Sequence, residues 1–147
     1  MSSAAIEQLI EDLRSGLGAQ RATVRIDVPG AVFPVAYEAL APGTGSIRDD
    51  PTDLTRQPVP RILAEQDGQV VQEDAAAAFP GDDEFHAMRD RFGGMRAQIV
   101  TGCYRGDRLL ALLSIHDLSA PRQFSAAERQ RCRDAAAMIA EMIDDPA

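Results

Sequence analysis

Residues 108–117 constrain the fold most. Two-residue alternation sends Leu109, Ala111, Leu113 and Ile115 to one face of a strand, all of them apolar. Leu110, Leu112, Ser114 and His116 share the other face, which is mixed. Such a strand needs an apolar cover on one side and a cover that tolerates polar groups on the other. Its partner lies next to it in sequence. Arg96 to Tyr104 reads as a second strand, with Arg105-Gly106-Asp107 as the tight connection.

The cover for the apolar face comes from the two ends of the chain. Ile6, Leu9, Ile10, Leu13 and Leu17 fall at helical spacing, with Ser2 or Ser3 to cap the helix and Gly18 to end it. The last helix opens on Ser125-Ala-Ala-Glu128, the spacing of a capping box, and carries a stripe of Cys132, Ala135, Ala136, Ile139, Met142 and Ile143. Between them, Arg21 to Val28 alternates again. Ala22, Val24, Ile26 and Val28 oppose Arg21, Thr23, Arg25 and Asp27. A Pro29-Gly30 turn leads to a second strand from Ala31 to Leu40. Residues 41–58 read as a long loop, Pro60 to Asp67 as a short helix, Gln69 to Glu73 as a short strand and Ala75 to Ala78 as loop. Asp82 or Asp83 caps a helix ending at Gly93-Gly94, with Phe85, Met88 and Phe92 on one side. The strands are not joined in regular βαβ units. The expected fold class is therefore α+β, an antiparallel sheet with both terminal helices on one side.

Composition excludes several functions. The chain has 147 residues, enough for one domain, and its net charge of -8 is the wrong sign for a surface that binds phosphate backbones. No apolar run approaches the roughly 20 residues of a membrane span. The start lacks the pattern of a signal peptide, so cytoplasm is the expected location. All fifteen Lys+Arg residues are arginine, so Schiff-base chemistry on lysine and the P-loop lysine are both excluded. Cys103 and Cys132 form no CxxC and, with two histidines, do not make a structural zinc site. Both read as small core residues.

The stretch from Gly94 to His116, continuing through Asp117-Leu-Ser-Ala-Pro-Arg-Gln-Phe-Ser-Ala-Ala-Glu128, resembles the end of a GAF domain. Phe124-Ser125-Ala126-Ala127-Glu128 fits that family's start of the final helix. His116-x-x-Ser119-x-Pro121-Arg122-x-Phe124 is similar to the phytochrome and cyanobacteriochrome branch. The resemblance implies a profilin-like antiparallel sheet of five to six strands. The N- and C-terminal helices would lie on one face and a ligand pocket on the other, in a single domain over residues 4–143 with no separate output domain. It also implies a small-molecule-binding sensor that signals through a partner. A homodimer would form through the terminal helices, around Leu13, Ile139 and Met142.

On that frame the mixed face of the Leu109–His116 strand meets the pocket. His116 there either exchanges a hydrogen bond with a ligand or is satisfied by its own loop. Ser114 and Gln98 would join it. Arg25 either clamps an anion or sits on a solvated strand face paired with Asp27, the reading its alternation favours. Phe85, Met88 and Phe92 form an apolar wall. The expected ligand is small and polar or anionic. No metal site and no catalytic residue is expected. Bilin attachment is disfavoured because no Cys-His dipeptide exists. Haem ligation by His86 is disfavoured because Asp82-Asp83-Glu84-Phe85-His86 reads as an exposed helix face. The enzyme alternative, a free methionine sulfoxide reductase, is disfavoured because the loops at 41–58 and 74–95 hold no cysteine. A ligand-free dimerisation module is the third reading.

Overall fold

In the computed structural model, described for residues 3–28, 33–50, 54, 57–65 and 68–143, the chain builds one five-stranded antiparallel sheet with helices on both faces. Its elements run α1 (Ser3–Leu17), β1 (Arg21–Ile26), β2 (Val35–Leu40), α2 (Pro58–Glu65), β3 (Gln69–Gln72), a 3-10 turn (Ala75–Ala77), α3 (Asp83–Arg91), β4 (Ala97–Arg105), β5 (Arg108–Asp117) and α4 (Ala126–Met142). The strand order is β2-β1-β5-β4-β3, so the longest strands are central. The Ser2 cap, the Pro29-Gly30 turn, Pro51 and the Asp67 helix end lie outside the described residues.

α1 and α4 cover one face. Ile6, Ile10, Leu13, Leu17, Cys132, Ala135, Ala136 and Ile139 pack with Ala22, Val24, Ile99, Cys103, Ala111, Leu113 and Ile115 in one buried cluster. The ends of these helices are fixed by side chains. Ser125 and Glu128 complete the capping box at the start of α4. Arg122 donates to the Leu17 carbonyl (2.8 Å) and to Glu128 (2.7 Å), tying the end of α1 to the start of α4. Arg105 donates to the carbonyls of Ala140 (2.7 Å) and Ile143 (2.8 Å), which satisfies the far end of α4 from the β4–β5 hairpin.

The other face carries a second cluster. Ile47, Leu54, Val59, Leu63, Ala75, Phe85, Met88, Phe92 and Met95 cover Val100 and Leu112. Ile47 and Leu54 come from the stretch between β2 and α2, Val59 and Leu63 from α2, Ala75 from the 3-10 turn, and Phe85, Met88, Phe92 and Met95 from α3 and the turn that follows it. Asp82 caps α3 by accepting from the Phe85 N–H (2.9 Å). Gly93 and Gly94, both left-handed (φ 82° and 70°), end α3 and turn the chain back to the sheet.

The structure corrects several expectations. β1 ends at Ile26 and β2 begins at Val35, so the hairpin is shorter-legged than the alternation suggested. α2 starts at Pro58, two residues early, because a proline fits a first helical turn. Ala75–Ala77 is a 3-10 turn rather than loop, its entry held by the Ala75 N–H on the Arg96 carbonyl (2.8 Å). Leu110 lies in the helix-side core and Leu109 packs on the opposite cluster, the reverse of strict alternation. The cause is a β-bulge. Cys103 pairs with Ala111 and Tyr104 with Leu109, which leaves Leu110 as the extra residue. From Ala111 onward the alternation holds. Leu13 and Ile139, expected to be free for a second copy, are 2% and 0% exposed and belong to the internal core. Among the described residues Met138, at 47%, is the large apolar side chain that is exposed.

Candidate functional site

The strand register assembles a polar row across the covered face. Arg21 on β1 pairs with His116 on β5, His116 with Gln98 on β4, and Gln98 with Gln72 on β3. One pleat further along, Thr23 lies opposite Ser114, and beyond it Arg25 lies opposite Leu112. Side chains two apart on a strand share a face, so these rows place their polar groups together under α2 and α3. The expectation of a solvated Arg25 face paired with Asp27 is overturned. Arg21, Thr23 and Arg25 are 2%, 0% and 5% exposed, and no Arg25–Asp27 ion pair forms. The 41–58 segment and α3, invisible to a local reading of β1, cover it.

A cavity of about 40 Å³ lies between this floor and its roof. Arg25, Gln98, Ser114 and His116 line it from the sheet, with Val100 and Leu112. Phe85, Met88, Phe92, Gln57 and Leu54 line it from above. All seven residues singled out in the sequence thus border one space. His86 does not; it is half-buried on α3, with the Phe85 ring 5.0 Å away and the Arg89 Nε 3.4 Å from its Nδ1.

Arg21 is the residue the sequence reading missed. Its Nη1 donates to the Phe92 carbonyl (3.0 Å) and lies 3.1 Å from His116 Nδ1, while Nη2 donates to the Gly45 carbonyl (2.9 Å). One guanidinium thereby fastens the end of α3 and the 41–58 segment to the sheet. The available signal was parity: Arg21 and Arg25 stand four apart in an alternating strand, and two arginines on one face call for acceptors there.

The contact with Arg21 also fixes the state of His116. A guanidinium only donates, so Nδ1 must be the acceptor and the ring's proton sits on Nε2. Burial, then the charges of Arg21 and Arg25, hold the imidazole pKa well below its ordinary value. The ring stacks on Phe92 at 5.7 Å. A stability consequence follows from the sign of this shift. Below the ordinary imidazole pKa the unfolded chain takes up a proton that the folded ring refuses. Stability present above that pKa is therefore lost as pH falls towards the folded value, by up to about 1.4 kcal/mol per pH unit. Melting curves from pH 7 to 5 should fall less steeply for His116→Gln than for the wild type; parallel curves would contradict a neutral buried ring.

Arg25 is tied less completely. Nη1 donates to the carbonyl of Phe33 (3.1 Å), whose left-handed backbone (φ 47°) is a strained conformation for an aromatic residue. Its guanidinium stands 5.6 Å from the Phe92 ring centre. Nη2 is buried and, among the described residues, has no partner. Arg21 Nε, Thr23 Oγ1, Gln57 Oε1, Gln69 Oε1 and Gln72 Nε2 are likewise buried without partners. Gln98 Nε2 donates to Gln72 Oε1 (2.7 Å).

The two thiols stand apart from this chemistry. Both lie in the helix-side core, where burial pushes Cys103 up to about 12 and Cys132 up to about 11. Among the described residues no cluster of three or more His, Cys, Asp or Glu could hold a metal ion, and no helix is long and apolar enough to cross a membrane.

Comparison with known proteins gives one consistent answer. The family model described as "GAF domain" matches residues 3–143. A search of the curated proteins gives no match. Among solved structures, the blue-light absorbing form of the Thermosynechococcus elongatus PixJ GAF domain is 25% identical, with a TM-score of 0.77 over 95% of this chain and 82% of that one. The crystal structure of the cyanobacteriochrome TePixJ GAF domain is 26% identical, with a TM-score of 0.76 over 94% and 86%. The chromophore-binding domain of an unusual bacteriophytochrome from R. palustris shares the fold at 20% identity, with a TM-score of 0.77 over 94% of this chain and 53% of that one.

Proposed function

Since the chain belongs to the GAF domain family, we propose that it is a small-molecule-binding sensor module with its ligand in the cavity between the sheet and α2–α3. One observation carries this reading. Polar atoms that are buried and lack protein partners, Arg25 Nη2 and Gln57 Oε1, belong to side chains that border the same cavity. Buried polar groups are normally satisfied, and a cluster of unsatisfied ones in one hollow is what a ligand would complete.

The residues present do not fit a tetrapyrrole. Pockets for drug-sized ligands run to roughly 300–1,000 Å³, and this cavity offers about 40 Å³. Neither cysteine borders it. The raised thiol pKa values also weigh against a reductase built on Cys103 or Cys132. The module we infer is a single domain over residues 4–143 and is not an enzyme. Occupancy would reach a partner by shifting α3 and the 41–58 segment, which Arg21 couples to the sheet. Pairing of two copies through α1 and α4 would use the outer strip of Leu9, Met138 and Met142, because Leu13 and Ile139 are spent internally.

The test is a thermal-shift screen of the chain against a library of small metabolites, repeated on Leu112→Trp, which fills the cavity. A ligand at a hundred times its Kd stabilises by about 2.7 kcal/mol. The expected result is a stabilising compound whose effect disappears in the filled variant. If nothing in the library stabilises the wild type while sedimentation gives a dimer, the ligand-free dimerisation module takes its place.

A further inference from the structure

We propose that the ligand is a short carboxylate, with its carboxyl group received by Arg25 Nη2 and the Nε2–H of His116; this rests on the cavity being a ligand site. Arg25 is 95% buried, the complement of its 5% exposure. Among the described residues no carboxylate forms an ion pair with it. The acidic groups whose charge reaches it, Asp50 and Glu38, are engaged elsewhere. Asp50 pairs with Arg91 at 3.0 Å, and Glu38 accepts from the Ser46 hydroxyl and from the Ile47 N–H at 2.8 Å. A buried cation with an idle N–H and no carboxylate in direct contact is incompletely compensated until an anion arrives.

The remaining groups on the cavity floor sharpen the class. His116 gives its Nδ1 lone pair to Arg21, so the polar group the ring has left is a donor, Nε2–H. Ser114 adds a hydroxyl on the same floor. A cationic ligand would meet the Arg25 guanidinium on the cavity wall, with the Arg21 charge behind His116, and a neutral one would leave Arg25 uncompensated. A phosphate dianion would want a second guanidinium at the cavity, but Arg21 does not border it; its terminal nitrogens bond Phe92, Gly45 and His116, and its Nε is left without a partner outside the cavity lining. The space sets the length. One water needs about 10–15 Å³ of such volume, so 40 Å³ holds a carboxyl group and one or two further atoms. Val100, Leu112, Phe85 and Met88 suit a short carbon end, and Gln57 Oε1 can accept from a hydroxyl on it.

Titration calorimetry and thermal shift on the purified chain, in a buffer free of carboxylates, decide the matter with four probes: acetate, glycolate, acetamide and methylammonium. The carboxylates should bind at least about tenfold more tightly than the other two, a gap of about 1.4 kcal/mol. Arg25→Lys, which keeps the charge and loses the fork, should weaken both carboxylates at least about tenfold. The comparison among probes is made on the wild-type chain, so it stands whether or not a variant folds. Equal binding of acetamide or methylammonium would overturn the assignment, as would unchanged carboxylate affinity in a folded Arg25→Lys. If all four probes fail while a library metabolite binds and is blocked by Leu112→Trp, the carboxylate falls and the ligand site stands. If neither set binds, both fall.

Discussion

Phe85→Ala is expected to destabilise the fold by about 3–5 kcal/mol. Phe85 is 0% exposed and lies in the cluster that roofs the sheet. Its ring meets Phe79 edge-on at 5.1 Å and His86 at 5.0 Å. Truncation removes the transfer energy of the ring and leaves a hole beside a cavity that already exists. The roof there is built from short elements with few ways to collapse inward. Urea unfolding measures the loss as a lower midpoint at an unchanged slope. A loss below about 1 kcal/mol would mean that the roof repacks freely, and the fixed shape assumed for the cavity would go with it.

Arg21→Ala should cost about 3 kcal/mol and should loosen one side of the molecule only. The substitution orphans the carbonyls of Phe92 and Gly45 and the Nδ1 of His116 together. Relief from burying a guanidinium that has no ion pair works in the opposite direction. The two acceptors left in a buried space, the Phe92 carbonyl and His116 Nδ1, outweigh it, because hydrogen bonds from a charged donor contribute about 1.5–3 kcal/mol each, while the exposed Gly45 carbonyl can turn to water. Amide exchange should accelerate in α3 and around Gly45, while the amides of β4 and β5 keep the protection of the central strands. The His116 imidazole should also titrate at a higher pH, since one of the two charges depressing it is gone. Uniform loss of protection across the sheet would show that Arg21 supports the whole fold rather than fastening the roof.

Most of the architecture was legible in local pattern. The stripes of α1 and α4, the capping box at Ser125 and the β4–β5 hairpin each depend on neighbours in sequence, and alternation and helical spacing record those directly. The site was legible from Ala111 onward in β5 for the same reason: Ser114 and His116 face the roof because Leu113 and Ile115 face the helices. What local pattern could not supply was the identity of the cover. Arg25 reads as a surface residue until the 41–58 segment and α3 are laid over it, and those contacts span many residues. Arg21 was missed because its three partners come from α3, from the 41–58 segment and from β5. The bulge escaped because Leu109 and Leu110 are both leucines, and swapping their faces leaves no mark in a hydrophobic pattern.

That bulge determines where this lineage can change length. Leu110 has no Cα partner on β4, so it is the one residue of β5 whose deletion leaves the parity of the strand intact. Without it, Leu109 and Ala111 would still point to opposite faces, and Ser114 and His116 would keep theirs. A deletion at Leu113 would instead swing one half of the strand through half a turn and aim either its arginine-facing residues or its core residues the wrong way. Insertions and deletions in related sequences should therefore collect at the Leu109–Ala111 step and be purged a few residues further on.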